Sequence, residues 1–326
     1  MDNLTLFTKF LLMDVCTSRE LQLLQSVLFL VIYLGALIGN LMTIFLIVTD
    51  NHLHSPMYFF ISNLSLIDLC SISVIVPKSI VNSMTGSMTI TLRECAAQIF
   101  FYLLFATAEF AFLVVMAFDR YIAICRPLHY GLIVTPRMCA QAAGGSWASG
   151  LVCSAVHTCA MFSLPFTKTN VIQQFFCEIP QILRISSSEV KFSEFVIIVV
   201  SLCLVLGCFL FMIISYVNIF TSVLKMHSVE ARNKALSTCS PQLFILLLFI
   251  ISGSVAVLGP IEDKASLKNL LISMFYTMVP PFMNPIIYSL RNREINSALD
   301  RMLTRSSQFL IKDFLSLKSA SQDLGM

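Results

Sequence analysis

Twenty-three residues separate Cys95 from Asp119, and Glu109 is the one charged residue among them. A helix crossing the hydrocarbon core of a bilayer needs about 20 apolar residues. The stretch therefore reads as a membrane span that returns to water at Asp119 and Arg120. Glu109 and Arg120 stand eleven positions apart, about three turns at ~3.6 residues per turn, so they share a helix face. A carboxylate at that depth must face protein or a wet cavity rather than lipid. The span is expected at the centre of a bundle, with its polar face turned inward.

Nearly uncharged runs of spanning length occur at 21–49, 57–77, 95–118, 138–162, 195–224, 235–261 and 269–290. The chain is 57% hydrophobic and 12% charged, against about 25% charged in soluble domains. Composition thus excludes a soluble fold and predicts an all-α bundle of seven transmembrane helices, with its termini on opposite sides. With the N-terminus outside, twelve Lys and Arg fall inside and nine outside, while acids number seven inside and nine outside. That bias has the sign of the positive-inside rule and is too weak for nucleic-acid binding. Residues 1–20 mix charged and polar groups, and the apolar run Phe10–Met13 is too short for a signal-peptide core, so the first span is expected to act as the insertion signal.

Asn3-Leu4-Thr5 is an N-glycosylation acceptor on the lumenal side, whereas Asn63-Leu64-Ser65 lies within span two and should be inaccessible. Asn40 in span one needs a partner on another helix, and Asp68 in span two is the obvious candidate. Asp68 and Glu109 are carboxylates of similar depth on adjacent helices. Either they share a cation, with Na⁺ suited to oxygen ligands, or one is protonated and hydrogen-bonded to its neighbour. Ala142, Ser146, Gly150 and Ser154 recur every four positions around Trp147, a stripe for close helix packing. Cys177, in the long loop 163–194, and Cys95, at the outer end of span three, both face the oxidising lumen, so a disulfide is expected. The other cysteines and His157 have no partners at catalytic or metal spacing and are read as packing. Pro241 in span six and Pro285 in span seven each remove a backbone hydrogen bond. Residues 291–304 alternate charged and apolar positions at helical spacing, which predicts an amphipathic surface helix before a serine-rich tail at 305–326.

These motifs resemble the rhodopsin-like family of G-protein-coupled receptors. The wider likeness rests on Asn40, Asp68, Cys95, Asp119-Arg120-Tyr121, Trp147, Cys177 and Asn284-Pro285-Ile286-Ile287-Tyr288. Longer strings resemble the olfactory (odorant) receptors within it: Leu53 to Phe60, Met116 to Tyr130, Lys234 to Cys239 and Pro285 to Asn292. The resemblance covers about residues 20–304 and implies an extracellular segment at 1–20, a receptor domain at 21–290, the surface helix at 291–304 and a cytoplasmic tail. It implies a receptor in the plasma membrane, not an enzyme, that binds a small volatile ligand and activates a stimulatory G protein of the olfactory type to raise cyclic AMP. Carried over by helix position, the ligand pocket comprises Tyr102, Leu103, Ala106 and Thr107 on span three, with Ser201 and Leu204 on span five. Gly253 and Ser254 on span six and Met274 and Thr277 on span seven complete it. The activation switch and G-protein contact map onto Asp119, Arg120, Tyr121, Pro127, Tyr216, Asn284, Pro285 and Tyr288, and the family's sodium site onto Asp68 and Glu109.

Thr107, Ser201 and Ser254 offer hydroxyls, and no charged anchor stands among the pocket positions. A neutral, mostly apolar ligand is therefore expected. The chain departs from many relatives at Thr167 and Ser187, where a second pair of loop cysteines is often found, and at Pro241, Gln242 and Ile250 in span six. The alternatives are a transporter or channel, or a receptor copy that no longer signals. A transporter would show repeated halves and a channel a polar filter, and neither pattern is visible.

Overall fold

The computed structural model describes residues 8–13, 18–163, 166, 169–258 and 266–304; Asn3, Thr167 and the tail 305–326 lie outside the described residues. Nine α-helices are described before residue 292. The long ones are α1 (Arg19–Thr49), α2 (Pro56–Thr85), α3 (Leu92–Cys125), α5 (Pro136–Met161), α7 (Ser188–Leu224), α8 (Val229–Leu258) and α9 (Leu267–Arg291). Two short helices, α4 (Tyr130–Ile133) and α6 (Ile179–Ile185), lie in connections. Six of the long helices are long and apolar enough to cross a membrane. The seventh, α5, is long enough at 26 residues but carries the Ala, Gly and Ser stripe, which dilutes its apolar character. The bundle is the seven-helix arrangement expected, with α3 touching α2, α5, α7 and α8 at its centre.

Local chemistry fixes the helix ends. Ser18, Thr135, Ser187 and Ser266 each accept a hydrogen bond from a backbone N–H of the first turn, as N-cap hydroxyls do. Thr91 and Glu94 form a reciprocal capping box at the start of α3. Gly86 ends α2 at φ 72°, a left-handed cap that a Cβ would strain. These caps carry α2, α3 and α7 well beyond the apolar runs. Span five in particular starts seven residues earlier than expected, at Ser188 rather than 195, and takes Glu194 into the helix.

Two close approaches hold the bundle. A Cβ at Gly150 would lie 2.6 Å from the Leu104 carbonyl oxygen, so the small-residue stripe of α5 lets its backbone reach that of α3. Cβ atoms at Gly35 and Gly39 would meet Phe282 at 2.7 Å and Pro285 at 2.8 Å, which seats α1 on α9. Trp147 donates from Nε1 to Asn63 Oδ1 at 3.2 Å, so the asparagine of the second acceptor triplet ties α2 to α5. On the outside, α7 presents Val200, Leu206, Ile214 and Val217, all exposed, as a surface for lipid.

The all-α expectation misses a small sheet. Strand β1 (Lys9–Leu12) lies between β2 (Thr89–Thr91), antiparallel to it, and β3 (Val171–Ile172), parallel to it. The apolar run at Phe10–Met13 serves this sheet. Phe10 and Leu12 point into a core with Ile90, Cys95, Ile172 and Cys177, and Phe10 meets Phe166 edge-on at 5.2 Å. The Cys95–Cys177 disulfide, with Cα atoms 5.5 Å apart, lies in the same core. At the opposite end of the bundle, residues 293–304 are helical, two residues later than expected because Asn292 both closes α9 and caps this last helix. Its apolar positions, Ile295, Ala298, Leu299 and Met302, pack against the main core, and Arg301 bonds Asp50.

Candidate functional site

The bundle has two polar ends joined by a polar core. At the end opposite the disulfide, Asp119 and Arg120 are both buried. Arg120 donates from Nε to Asp119 Oδ2 at 2.9 Å, and its Nη2 reaches the same oxygen. The other carboxylate oxygen accepts from the Tyr130 hydroxyl at 2.8 Å. Burial pushes the Tyr130 phenol upward, helped by the Asp119 charge, so it stays a neutral donor. Sequence gives no sign of the Tyr130 contact, since the loop Arg126 to Tyr130 reads there as a partner surface only. Tyr216 is buried with its hydroxyl unpartnered, and the same holds for Tyr288. Pro127 opens a 3-10 turn after α3, and Tyr121 is half-buried against the main core. A crevice of about 170 Å³ lies at this end between α7 and α8, lined by Ile219, Val223, Cys239 and Leu243 among others. It is far from the expected ligand positions.

In the middle, the expected Asn40–Asp68 pair does not form. Asn40 donates to the Ala36 carbonyl at 2.9 Å and to the Pro281 carbonyl at 2.8 Å. The reason is Pro285. In a helix the carbonyl of residue 281 would accept from the N–H of residue 285, and proline has none. Asn40 fills that vacancy across the α1–α9 contact that Gly39 permits. Asp68 instead accepts from Asn284 Nδ2 at 2.9 Å, which ties α2 to α9. Asp68 Oδ1, Glu109 Oε1, Asn284 Oδ1 and Ser65 Oγ are buried without hydrogen-bond partners. Four unsatisfied oxygens fit a hard cation by donor chemistry. Among the described residues no group of three or more His, Cys, Asp or Glu is placed to hold a metal, so such a cation would rest on two carboxylates and neutral oxygens.

At the disulfide end the sequence reading undercounts the charge. His157 on α5 pairs through Nδ1 with Glu194 on α7, and its Nε2 lies 3.2 Å from Ser201 Oγ. Cys153 stands one turn before His157 on α5. Glu194 is 0% exposed and His157 5%. The histidine is therefore not simple packing, and an ionisable pair does stand beside the expected pocket positions. The expected loop 163–194 takes in Glu194 because a charge ends an apolar run; a buried partner lets the helix carry it. A signal for the pair exists in the sequence: His157 stands mid-span, where an imidazole needs a partner, and Glu194 borders the next apolar run.

Of the other pocket positions, Tyr102 and Met274 pack with the core around Phe29 and Phe176, and Leu103 with the core around the disulfide. Ala106 is half-buried and Thr277 buried, its hydroxyl bonded to the Ser273 carbonyl at 2.6 Å. Leu204 is a correction. It is 68% exposed, off the inward line of α7 through Glu194, Ser201 and Met212. Gly253 and Ser254 are likewise exposed, and Ser252 is the hydroxyl that α8 buries there. Above these helices Glu178 is buried and accepts from the Tyr276 hydroxyl, which fastens the loop before α6 to α9. Burial raises the Glu178 carboxyl, and hydrogen bonds from Tyr276 and Gln174 pull it partly back. Of the departures in α8, Ile250 is half-buried against the main core, and Gln242 is buried with both amide atoms unpartnered. In α7, Ser187 serves as the cap.

A sequence profile described as olfactory receptor matches residues 29–306. The human protein named "Olfactory receptor 14I1" is 52% identical over 305 residues, covering 94% of this chain and 98% of that one. "Olfactory receptor 14A16", also human, is 46% identical over 303 residues, covering 93% and 98%. Among solved structures, "Crystal structure of squid rhodopsin" superposes with a TM-score of 0.72 at 17% identity, covering 89% of this chain and 87% of that one. That likeness shows the fold alone.

Proposed function

The chain belongs to the olfactory receptor family, and on that premise we propose that it binds a small neutral volatile and, through a stimulatory G protein of the olfactory type, raises cyclic AMP. A member of this family is a multi-pass membrane receptor and not an enzyme. In our reading the N-terminus and the disulfide face the exterior, and the Arg120 end faces the cytosol of a cell whose plasma membrane holds the protein. The observation that carries this reading is the buried Asp119–Arg120 pair with Tyr130 on its second oxygen. It makes a closed latch at the end where a cytosolic partner would dock.

The mechanism is a shift between two arrangements of the bundle. A ligand that fits the disulfide-end site better in the open arrangement moves the population by its differential affinity. Helix α8 then swings at its Arg120 end, eased by Pro241, whose missing N–H leaves the Ser237 carbonyl to the Ser240 hydroxyl at 3.5 Å. Arg120 is released to the G protein. Between the two ends, Asp68, Glu109, Asn284 and Ser65 would hold Na⁺, which supplies positive charge to two facing carboxylates and so favours the closed arrangement. A ligand of roughly ten heavy atoms at ~0.6 kcal/mol each binds with about 6 kcal/mol, or tens of micromolar.

The test is cyclic AMP in cells carrying the receptor, screened with volatiles. Arg120→Ala should abolish the response. Tyr130→Phe removes one hydrogen bond from the latch, worth about 1 kcal/mol, and should raise ligand-independent signalling roughly 5-fold. A response that survives Arg120→Ala unchanged would overturn the reading.

A further inference from the structure

His157 is caught between a carboxylate and a hydroxyl. Its Nδ1 meets Glu194 Oε1, and its Nε2 meets Ser201 Oγ at 3.2 Å. A carboxylate with no exposed surface keeps its charge only beside a cation, and the imidazole is in contact with it. As an imidazolium, His157 has two N–H donors and no acceptor. One proton goes to Glu194 and the other to Ser201 Oγ. The Ser201 oxygen is thereby fixed as an acceptor toward His157, and its own O–H is left to point elsewhere. Ser201 is only half-buried, unlike His157 and Glu194 behind it.

We propose that Ser201 is the polar anchor of the ligand, held as a hydrogen-bond donor by the His157–Glu194 pair behind it, and that the ligand class is a small carbonyl compound, an aldehyde, ketone or ester. The inference rests on the receptor reading above and names the chemistry of its ligand. A carbonyl accepts and cannot donate, which matches a site whose presented group is an O–H. An alcohol can also accept, but its own hydroxyl hydrogen then needs a partner. An alkane leaves Ser201 unsatisfied. His157 and Glu194 are positioning residues, acting through Ser201.

The experiment screens the full-length receptor with straight-chain aldehydes, ketones and methyl esters against alcohols, amines and alkanes of matched length, reading cyclic AMP with surface expression as the folding control. Carbonyl members should be the agonists. Ser201→Ala should raise their half-maximal concentration about 10-fold, the worth of one hydrogen bond of ~1.4 kcal/mol, and Ser201→Thr, which keeps the hydroxyl, should restore it. Glu194→Gln and His157→Asn should narrow the preference for carbonyls over alcohols, a change of rank order that a merely structural role would not produce. If alcohols or amines are preferred, Ser201 faces the ligand as an acceptor and the proposal is wrong. If alkanes act as well as carbonyls and Ser201→Ala changes nothing, the proposal also fails, while the receptor reading stands. Silence to every volatile removes both.

Discussion

Asn40→Ala isolates one hydrogen bond whose need can be cancelled by a second substitution. The Pro281 carbonyl accepts from Asn40 at 2.8 Å because Pro285 offers it no N–H, and Asn40 is fully buried. Truncation strands a buried acceptor, at about 1–3 kcal/mol. Asn40 Oδ1 has no partner of its own, so its removal returns part of that, leaving roughly 1–2 kcal/mol. At about 2–4 °C per kcal/mol for a chain of this order of size, the melting temperature should fall by about 2–8 °C. Pro285→Ala gives position 285 a backbone N–H for the same carbonyl. In that background Asn40→Ala should cost much less, a coupling of about 1 kcal/mol, within the range for residues sharing a partner. Thermal unfolding of the purified chain in detergent, followed by far-ultraviolet circular dichroism for wild type, both singles and the double, measures the cycle. Equal losses from Asn40→Ala in both backgrounds would refute the account, because the carbonyl would then not be what Asn40 serves.

The packing and the outer loop give two further outcomes. Gly150→Ala places a Cβ 2.6 Å from the Leu104 carbonyl oxygen, backbone that cannot move aside; it should cost about 1–3 kcal/mol, whereas Gly144→Ala, with open space around it, should cost nothing in the same melting assay. Glu178 is raised above the ordinary carboxylate value by burial, so the folded state holds its proton more tightly than the unfolded chain. Its stabilising share is complete below the ordinary carboxylate pKa and is lost as pH rises through the folded value. The melting temperature of wild type relative to Glu178→Gln should fall over that rise, and a difference that grows with pH would refute the assignment.

The parts of this molecule that sequence makes plain are those where a residue type carries its own demand. The apolar runs require seven crossings, the Ala142–Ser154 stripe requires a close neighbour, and Cys95 and Cys177 require each other. Partner choice is harder. Asn40 matches Asp68 by type, a side chain to a side chain, but the deficit lies in the backbone at Pro281. Pro285 announces that deficit, and only the register of α1 against α9 says which amide can meet it. Glu194 is hidden by the rule that a charge ends a span, and His157 by the ease with which a lone histidine reads as packing. Each removes the other's anomaly once α5 and α7 are side by side. Tyr130 lies beyond the helix end, where no period links it to Asp119. Leu204 fails because a position three residues after Ser201 drifts off the inward line of a helix with ~3.6 residues per turn.

Strand β1 is the middle strand of its sheet, with one neighbour at 89–91 and the other at 171–172. It is synthesised before either neighbour: the first becomes available only as the third long helix is about to begin, and the second only after four long helices have been made. Lys9–Leu12 must wait, unpaired, while four crossings' worth of sequence is threaded and folded beneath it. Whatever is fused just ahead of residue 8 rides on a piece that is seated late, between two strands already present, and a bulky fusion there competes with the closing of the cap.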